Sequence, residues 1–185
     1  ENKKFVFGAV KQGSRAKDFE LAIAWLQDAG VIHKITRISN ASLPLKGFED
    51  INAFKLYMVD VGLLCAMSGL DAATIVDGNA IFTQYKGALT EQFVLQQLLC
   101  VKDITIHYWT PDAGMAEVDF VVQLAGKIIP IEVKAEENLK AKSLKSYCDK
   151  YKPQEAIRTS MSNYRKEENF TNLPLYAIFM LERGV

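Results

Sequence analysis

Two short stretches carry the residues best suited to chemistry. Glu117-Val118-Asp119 is followed by Glu132-Val133-Lys134. Two acids and a lysine are the materials of a hard-cation site. Carboxylate oxygens suit Mg²⁺, which keeps several waters and takes phosphate oxygens as further ligands. Such an ion stabilises charge developing on a phosphoryl group and acidifies a water. A lysine two residues from the glutamate can orient that water or hold the phosphate. The plainer alternative is a salt bridge between Lys134 and an acid on a solvated sheet face, which contributes little.

Both stretches lie on predicted strands. In Glu117–Leu124 one face holds Val118, Phe120, Val122 and Leu124, and the other holds Glu117, Asp119, Val121 and Gln123. In Ile128–Ala135 one face holds Ile129, Ile131, Val133 and Ala135, and the other holds Ile128, Pro130, Glu132 and Lys134. Only a Gly-containing turn near Ala125-Gly126 separates the two strands, so they should pair as a hairpin with both apolar faces on one side. Asp119, Glu132 and Lys134 then share the opposite side. Pro130 cannot donate a ladder hydrogen bond, so a bulge or an edge is expected there.

A third acid lies on a helix. From Gly87 to Cys100, Glu91 falls amid Ala88, Val94, Leu95 and Leu98, the most apolar arc. An acid in a packing stripe is costly without a cationic or metal partner. Alternatively it reaches past the stripe edge to solvent near the helix start, where the macrodipole favours it.

The remaining elements frame these three. Asp18–Gly30 has helical apolar spacing and Gly30 to stop it, and Val31–Ile38 alternates like a strand. A basic loop precedes them (Lys11, Arg15, Lys17), so the segment is compatible with a winged helix, or with a plain connector. Residues 40–54 are turn-rich and mark a boundary. Lys55–Val59 reads as a short strand, and Asp60 caps a helix through Met67, closed by Gly69. Lys55 and Asp60 are expected to serve local structure. Ile104–Trp109, Ala156–Ser160 and Leu175–Leu181 read as strands, and Asn138–Lys152 as a helix. The order of types predicts an α/β (α+β) mixed sheet flanked by helices.

Lys140, Lys142, Lys145, Lys150 and Lys152 make the Asn138–Lys152 helix basic, against Asp149. It is a candidate phosphate-binding surface or a solvated face. Tyr108 and Trp109 either stack on bases or pack in the core. Arg158 and Lys127 are candidate phosphate contacts or surface charges.

Composition narrows the classes. The chain has 185 residues, 49% hydrophobic and 24% charged, with 22 basic and 22 acidic residues. That excludes disorder and a globally basic nucleic-acid binder, so contact with nucleic acid must come from a local patch. The stretch Met58–Leu70 is too short and contains Asp60, so no membrane span is expected. The first residues lack a signal-peptide core, and the absence of an initial Met suggests a fragment. Cys65, Cys100 and Cys148 form neither a disulfide framework nor a zinc pattern, which suggests a cytoplasmic setting. His33 and His107 are too few for a histidine metal site. No Gly-x-x-x-x-Gly-Lys-Ser/Thr loop is present, so this segment should not hydrolyse ATP itself.

Glu91, Asp119 and Glu132-Val133-Lys134, in that order on helix, strand and strand, resemble the motif of the PD-(D/E)XK nuclease superfamily. More narrowly, the chain looks like the C-terminal region of a prokaryotic AAA-type ATPase family whose tail is a domain of unknown function. The matching segments are Lys55–Leu64, Gly87–Val94, Tyr108-Trp109, Glu117–Phe120, Pro130–Ala135 and Leu173–Ala177. No Pro precedes Asp119, a departure from the motif. The resemblance implies a restriction-endonuclease-like sheet over residues 46–185, preceded by a winged-helix-like module over residues 1–45. It implies that Asp119, Glu132 and the Val133 carbonyl ligate Mg²⁺ or Mn²⁺, with Glu91 a carboxylate beside the metal. Lys134 would position or activate the attacking water. The substrate would be a DNA phosphodiester, with Lys140, Lys142 and Lys145 as nucleic-acid contacts. Partners would be DNA and the protein's own N-terminal ATPase, through which alone ATP would enter, and an oligomer is open. The alternative is a non-catalytic nuclease-like fold that binds DNA or regulates the ATPase.

Overall fold

The computed structural model describes residues 4–10, 15–70, 73, 80–112, 115–135, 141–167 and 170–183. Strands β1 (Ile32–Ile38), β2 (Glu49–Met58), β3 (Thr105–Trp109), β4 (Val118–Leu124), β5 (Lys127–Val133), β6 (Ile157–Ser160), β7 (Arg165–Lys166) and β8 (Thr171–Pro174) form one sheet. Its order is β2-β1-β3-β4-β5-β6-β8-β7. The sheet is mixed: β1–β2, β3–β4, β4–β5 and β7–β8 are antiparallel, while β1–β3, β5–β6 and β6–β8 are parallel. Helices α1 (Phe7–Val10), α2 (Glu20–Asp28), α3 (Val61–Met67), α4 (Ala80–Leu98) and α5 (Lys142–Tyr151) accompany it. The class is α/β in the α+β sense, with helices flanking a mixed sheet, as the order of types predicts.

The hairpin that carries the acids forms and follows the alternation from Phe120 onward, whereas Val118, expected beside Phe120, packs with Val121 instead. Phe120 pairs with Ile131 and Val122 with Ile129, across a turn in which Ala125 and Gly126 both have positive φ (48° and 76°). Continued by one residue, this register sets Asp119 across from Glu132. Pro130 sits opposite Val121, and the ladder to β6 begins only at Ile131. Pro130 therefore lies where β5 has not yet met β6, an edge-like position within a central strand.

Both faces of the hairpin are covered. Phe120, Val122, Ile129, Ile131 and Val133 pack with Val94, Leu95 and Leu98 of α4. On the other side Val118 and Val121 pack with Trp109 and with Leu144 and Tyr147 of α5. Full burial of one such side chain contributes about 1.5–3 kcal/mol. The face bearing the acids is thus roofed by a helix over much of its length rather than solvated.

Several expectations are revised. Leu175–Arg183 is a 3₁₀ helix, not a strand. With three residues per turn, Leu175, Ile178 and Leu181 fall on one side, and Ile178 and Leu181 are buried. The last long strand is instead Thr171–Pro174. Residues 49–54, within the turn-rich stretch, extend the strand expected at Lys55. The boundary expected at 45/46 falls between β1 and β2, which pair with each other, while β1 also pairs with β3. One sheet therefore runs across it. Tyr108 and Trp109 are each 1% exposed and belong to the core, so neither offers a stacking face. Trp109 meets Tyr147 and Tyr151 edge-on, at centroid distances of 5.2 and 5.8 Å. Asp60 caps α3 as expected, accepting from the Leu63 N–H at 2.7 Å. Among the described residues no helix is long and apolar enough to cross a membrane. The three cysteines are free thiols.

Candidate active site

At the end of β5 the chain turns off the sheet, and a cavity of about 520 Å³ opens there. Its wall includes Glu91, Glu117, Asp119, Glu132, Val133 and Lys134. The four chief residues expected from sequence, Glu91, Asp119, Glu132 and Lys134, are thus brought together. Three pieces of backbone position them: the middle of α4 carries Glu91, the start of β4 carries Asp119, and the end of β5 carries Glu132 and, just past it, Lys134.

Asp119 is fixed by the neighbouring strand. The Val133 N–H donates to Asp119 Oδ2 at 2.7 Å. Burial, with the nearby charges of Glu91 and Glu132, pushes the Asp119 carboxyl well above the usual carboxylate range, against the lowering effect of that hydrogen bond and of Lys55. Glu132 is 5% exposed. Burial raises its carboxyl too, and the Lys134 ammonium works against the rise. Lys134 Nζ donates to Glu132 Oε1 at 2.7 Å. Residues two apart on an extended chain share a side, which is why this pair can meet. The other oxygen, Glu132 Oε2, is buried and has no hydrogen-bond partner. A buried, unmatched carboxylate oxygen is costly unless something else serves it.

Glu91 is buried on α4, as its position in the apolar arc predicts, and does not escape to solvent. Tyr57 Oη donates to Glu91 Oε2 at 3.3 Å, and Lys55 Nζ lies 3.8 Å from the same oxygen. Lys55 also donates to Glu117 Oε1 at 2.5 Å. Its side chain is fully buried, with the ammonium 5.2 Å from the Tyr108 ring centre. Burial opposes the charge on Lys55, but Glu91 and Glu117 outweigh it and hold its pKa raised. Tyr57 is held protonated by burial and by the same acids. Glu117 is tied to α5 by its N–H, which donates to Ser143 Oγ at 3.4 Å.

Sequence reasoning gave Lys55 a local role and passed over Tyr57. The signal was present. Ala53, Lys55 and Tyr57 share one phase of β2, and all three are buried. A lysine in the inward phase of a strand demands acids opposite it.

The outlying candidates fare differently. Lys142 and Lys145 are exposed on α5, whereas Lys140 lies outside the described residues. Arg158 is 1% exposed and donates from Nε to Asn172 Oδ1 at 3.0 Å and from an η nitrogen to Glu167 Oε1 at 2.7 Å. It is a buried structural cation, not a surface phosphate contact. Lys127 pairs with Glu155 at 2.6 Å.

The donor set fits a hard divalent cation in kind. It combines carboxylate oxygens, one of them unmatched, with an excess of acids over lysines. Among the described residues, no three histidine, cysteine or acidic side chains are grouped as a ready-made cage. A cation there would rest on two carboxylates plus backbone and solvent oxygens, an arrangement typical of Mg²⁺.

Residues 86–178 match the family model described as Domain of unknown function (DUF4143), and residues 1–74 match one described as Domain of unknown function (DUF8612). No curated protein matches the sequence. Among solved structures, the crystal structure of protein VC1899 from Vibrio cholerae is similar over 98% of this chain and 45% of that one, at 12% identity and a TM-score of 0.31. The chain spans less than half the length of that protein, and the likeness is too slight to carry over fold or function.

Proposed function

For a chain that belongs to the DUF4143 family, of which no activity is stated, we propose metal-dependent hydrolysis of a DNA phosphodiester at the Asp119–Glu132–Lys134 cavity. The observation that carries this reading is the state of Glu132. It is buried at the cavity wall with one oxygen on Lys134 and the other unmatched. A structural salt bridge needs no such spare oxygen, whereas a ligand does.

Asp119 and Glu132 would hold Mg²⁺ or Mn²⁺, with the Val133 carbonyl as a further candidate. When bound, the ion supplies neutralisation of phosphoryl charge and a more acidic water. The protein's own groups do the rest. The Val133 N–H fixes the Asp119 carboxylate. Glu132 Oε1 orients the Lys134 ammonium, which can hand a hydrogen bond to a phosphate oxygen or an attacking water. Lys142 and Lys145, exposed on α5, whose Ser143 lines the cavity, offer backbone-phosphate contacts. DUF4143 is commonly found in proteins associated with AAA-type ATPases, which supports an ATPase neighbour in a longer protein. The restriction-endonuclease-like reading of the sheet and the winged-helix reading of the N-terminal segment belong to the same proposal.

One observation favours a second reading. The Lys134–Glu132 pair, with no ready-made cation cage among the described residues, also suits an inactive nuclease-like fold that binds DNA or regulates an ATPase. Incubating plasmid DNA with the chain and Mn²⁺ or Mg²⁺, beside Glu132→Ala, separates the two. Cutting lost in the variant supports the hydrolase. DNA retention without cutting by either protein supports the second reading.

A further inference from the structure

The acids of the cavity are not equivalent. They divide into two pairs, each with its own lysine. Glu132 holds Lys134 beside Asp119, and Glu117 holds Lys55 beside Glu91. The two lysines differ in access. Lys134 is partly exposed at the cavity wall, whereas the Lys55 side chain has no solvent exposure. Tyr57, from the same strand as Lys55, fastens Glu91 from a further direction. Glu91 Oε2 thus has an ammonium and a hydroxyl nearby, while Glu132 Oε2 has no partner.

We propose that Lys55 is a positioning residue that occupies the Glu91–Glu117 pair as an internal counter-cation, so that the cavity accepts a single divalent cation, at Asp119 and Glu132. This rests on the metal reading above and specifies it. Glu91 then serves as a buried wall anchored by Lys55 and Tyr57 rather than as a ligand. Charge balance supports one ion. Four carboxylates face two ammoniums, an excess of two negative charges when all are ionised. One divalent cation neutralises it, and a second would leave uncompensated positive charge beside the fully buried Lys55 ammonium, which is costly. The arrangement also crosses the family boundary. Lys55 and Tyr57 lie outside residues 86–178 and within the N-terminal segment 1–74, so the matched domain takes part of its site from the segment before it.

The test is a Mn²⁺ titration of the whole chain by calorimetry, with bound Mn²⁺ counted by electron paramagnetic resonance. One Mn²⁺ per chain is expected. Glu132→Gln should weaken binding about a hundredfold or more and Glu91→Gln about tenfold at most. Lys55→Gln, which empties the second acid pair, should raise the stoichiometry to two. Two ions bound by the wild type would overturn the inference and leave the metal reading standing. So would a Glu91→Gln loss equal to that of Glu132→Gln, or a folded Lys55→Gln that still binds one. No Mn²⁺ bound by the wild type would overturn the metal reading and the Lys55 role together. If Lys55→Gln does not fold, the wild-type stoichiometry and Glu91→Gln decide.

Discussion

Lys134 Nζ sits 2.7 Å from Glu132 Oε1, while the second oxygen of the same carboxylate is buried without a partner. The lysine therefore competes for one ligand oxygen and leaves the other free. Replacing it with Met should separate binding from chemistry. Lys134→Met is expected to bind Mn²⁺ at least as tightly as the wild type, because Oε1 is released. It should cut DNA about a hundredfold more slowly or worse, because the ammonium that serves water or phosphate is gone. Parallel calorimetry and cleavage assays check this. Loss of metal affinity together with activity would contradict it.

Asp119 carries a stability cost that its function would explain. Its carboxyl is raised above its unfolded value by burial and by Glu91 and Glu132. A raised acid means that the folded state holds the proton more tightly. Stability therefore falls as pH rises from the unfolded carboxylate range, about 4, through the folded value. Asp119→Asn removes that cost and can still accept from the Val133 N–H. Melting curves should show the variant a few degrees more stable than the wild type at pH 7.5, with the gap closing toward pH 4.5. A variant less stable at every pH would show that the charge is not the burden inferred.

The aromatic cluster under α5 gives a paired prediction. Tyr147 Oη is buried without a hydrogen-bond partner, whereas Tyr151 Oη accepts from Trp109 Nε1 at 3.2 Å. Tyr147→Phe should be neutral or stabilising by up to about 1 kcal/mol. Tyr151→Phe strands the indole N–H and should cost about 1 kcal/mol. Urea midpoints of the two variants, read at equal slope, test the contrast.

Arg158 knits β6 to β8 from inside the sheet. It bonds Asn172 and Glu167 and lies over Phe170, 4.7 Å from the ring centre. Arg158→Met removes both bonds from a buried position, but Glu167 keeps Arg165 and Asn172 keeps Ser160, so it should cost about 2 kcal/mol. Arg158→Lys should recover little, since a single ammonium cannot reproduce the fork. Equilibrium denaturation measures both.

How much of this could be read from the chain depended on local pattern. The β4–β5 hairpin was legible because both strands alternate cleanly and a glycine turn leaves no room for another register. That alone put Asp119, Glu132 and Lys134 together. Glu91 was legible as an acid out of place in an apolar arc. Lys55 was not, because its strand begins at Glu49 inside a stretch rich in turn residues and contains a register shift between Thr36 and Arg37 of its partner. Its two acids come from 36 and 62 residues away, a pairing that no local pattern encodes. Leu175–Leu181 misled because a short apolar run fits a strand and a helix alike, and only packing chose the three-residue period.

The most direct measurement is plasmid cleavage by the intact chain in Mn²⁺ and Mg²⁺, with Asp119→Asn and Glu132→Ala alongside and folding verified by circular dichroism. The account predicts cutting that requires the metal and vanishes in both folded variants. Cutting that persists in both, or no cutting by a wild type that binds Mn²⁺ and DNA together, would contradict it.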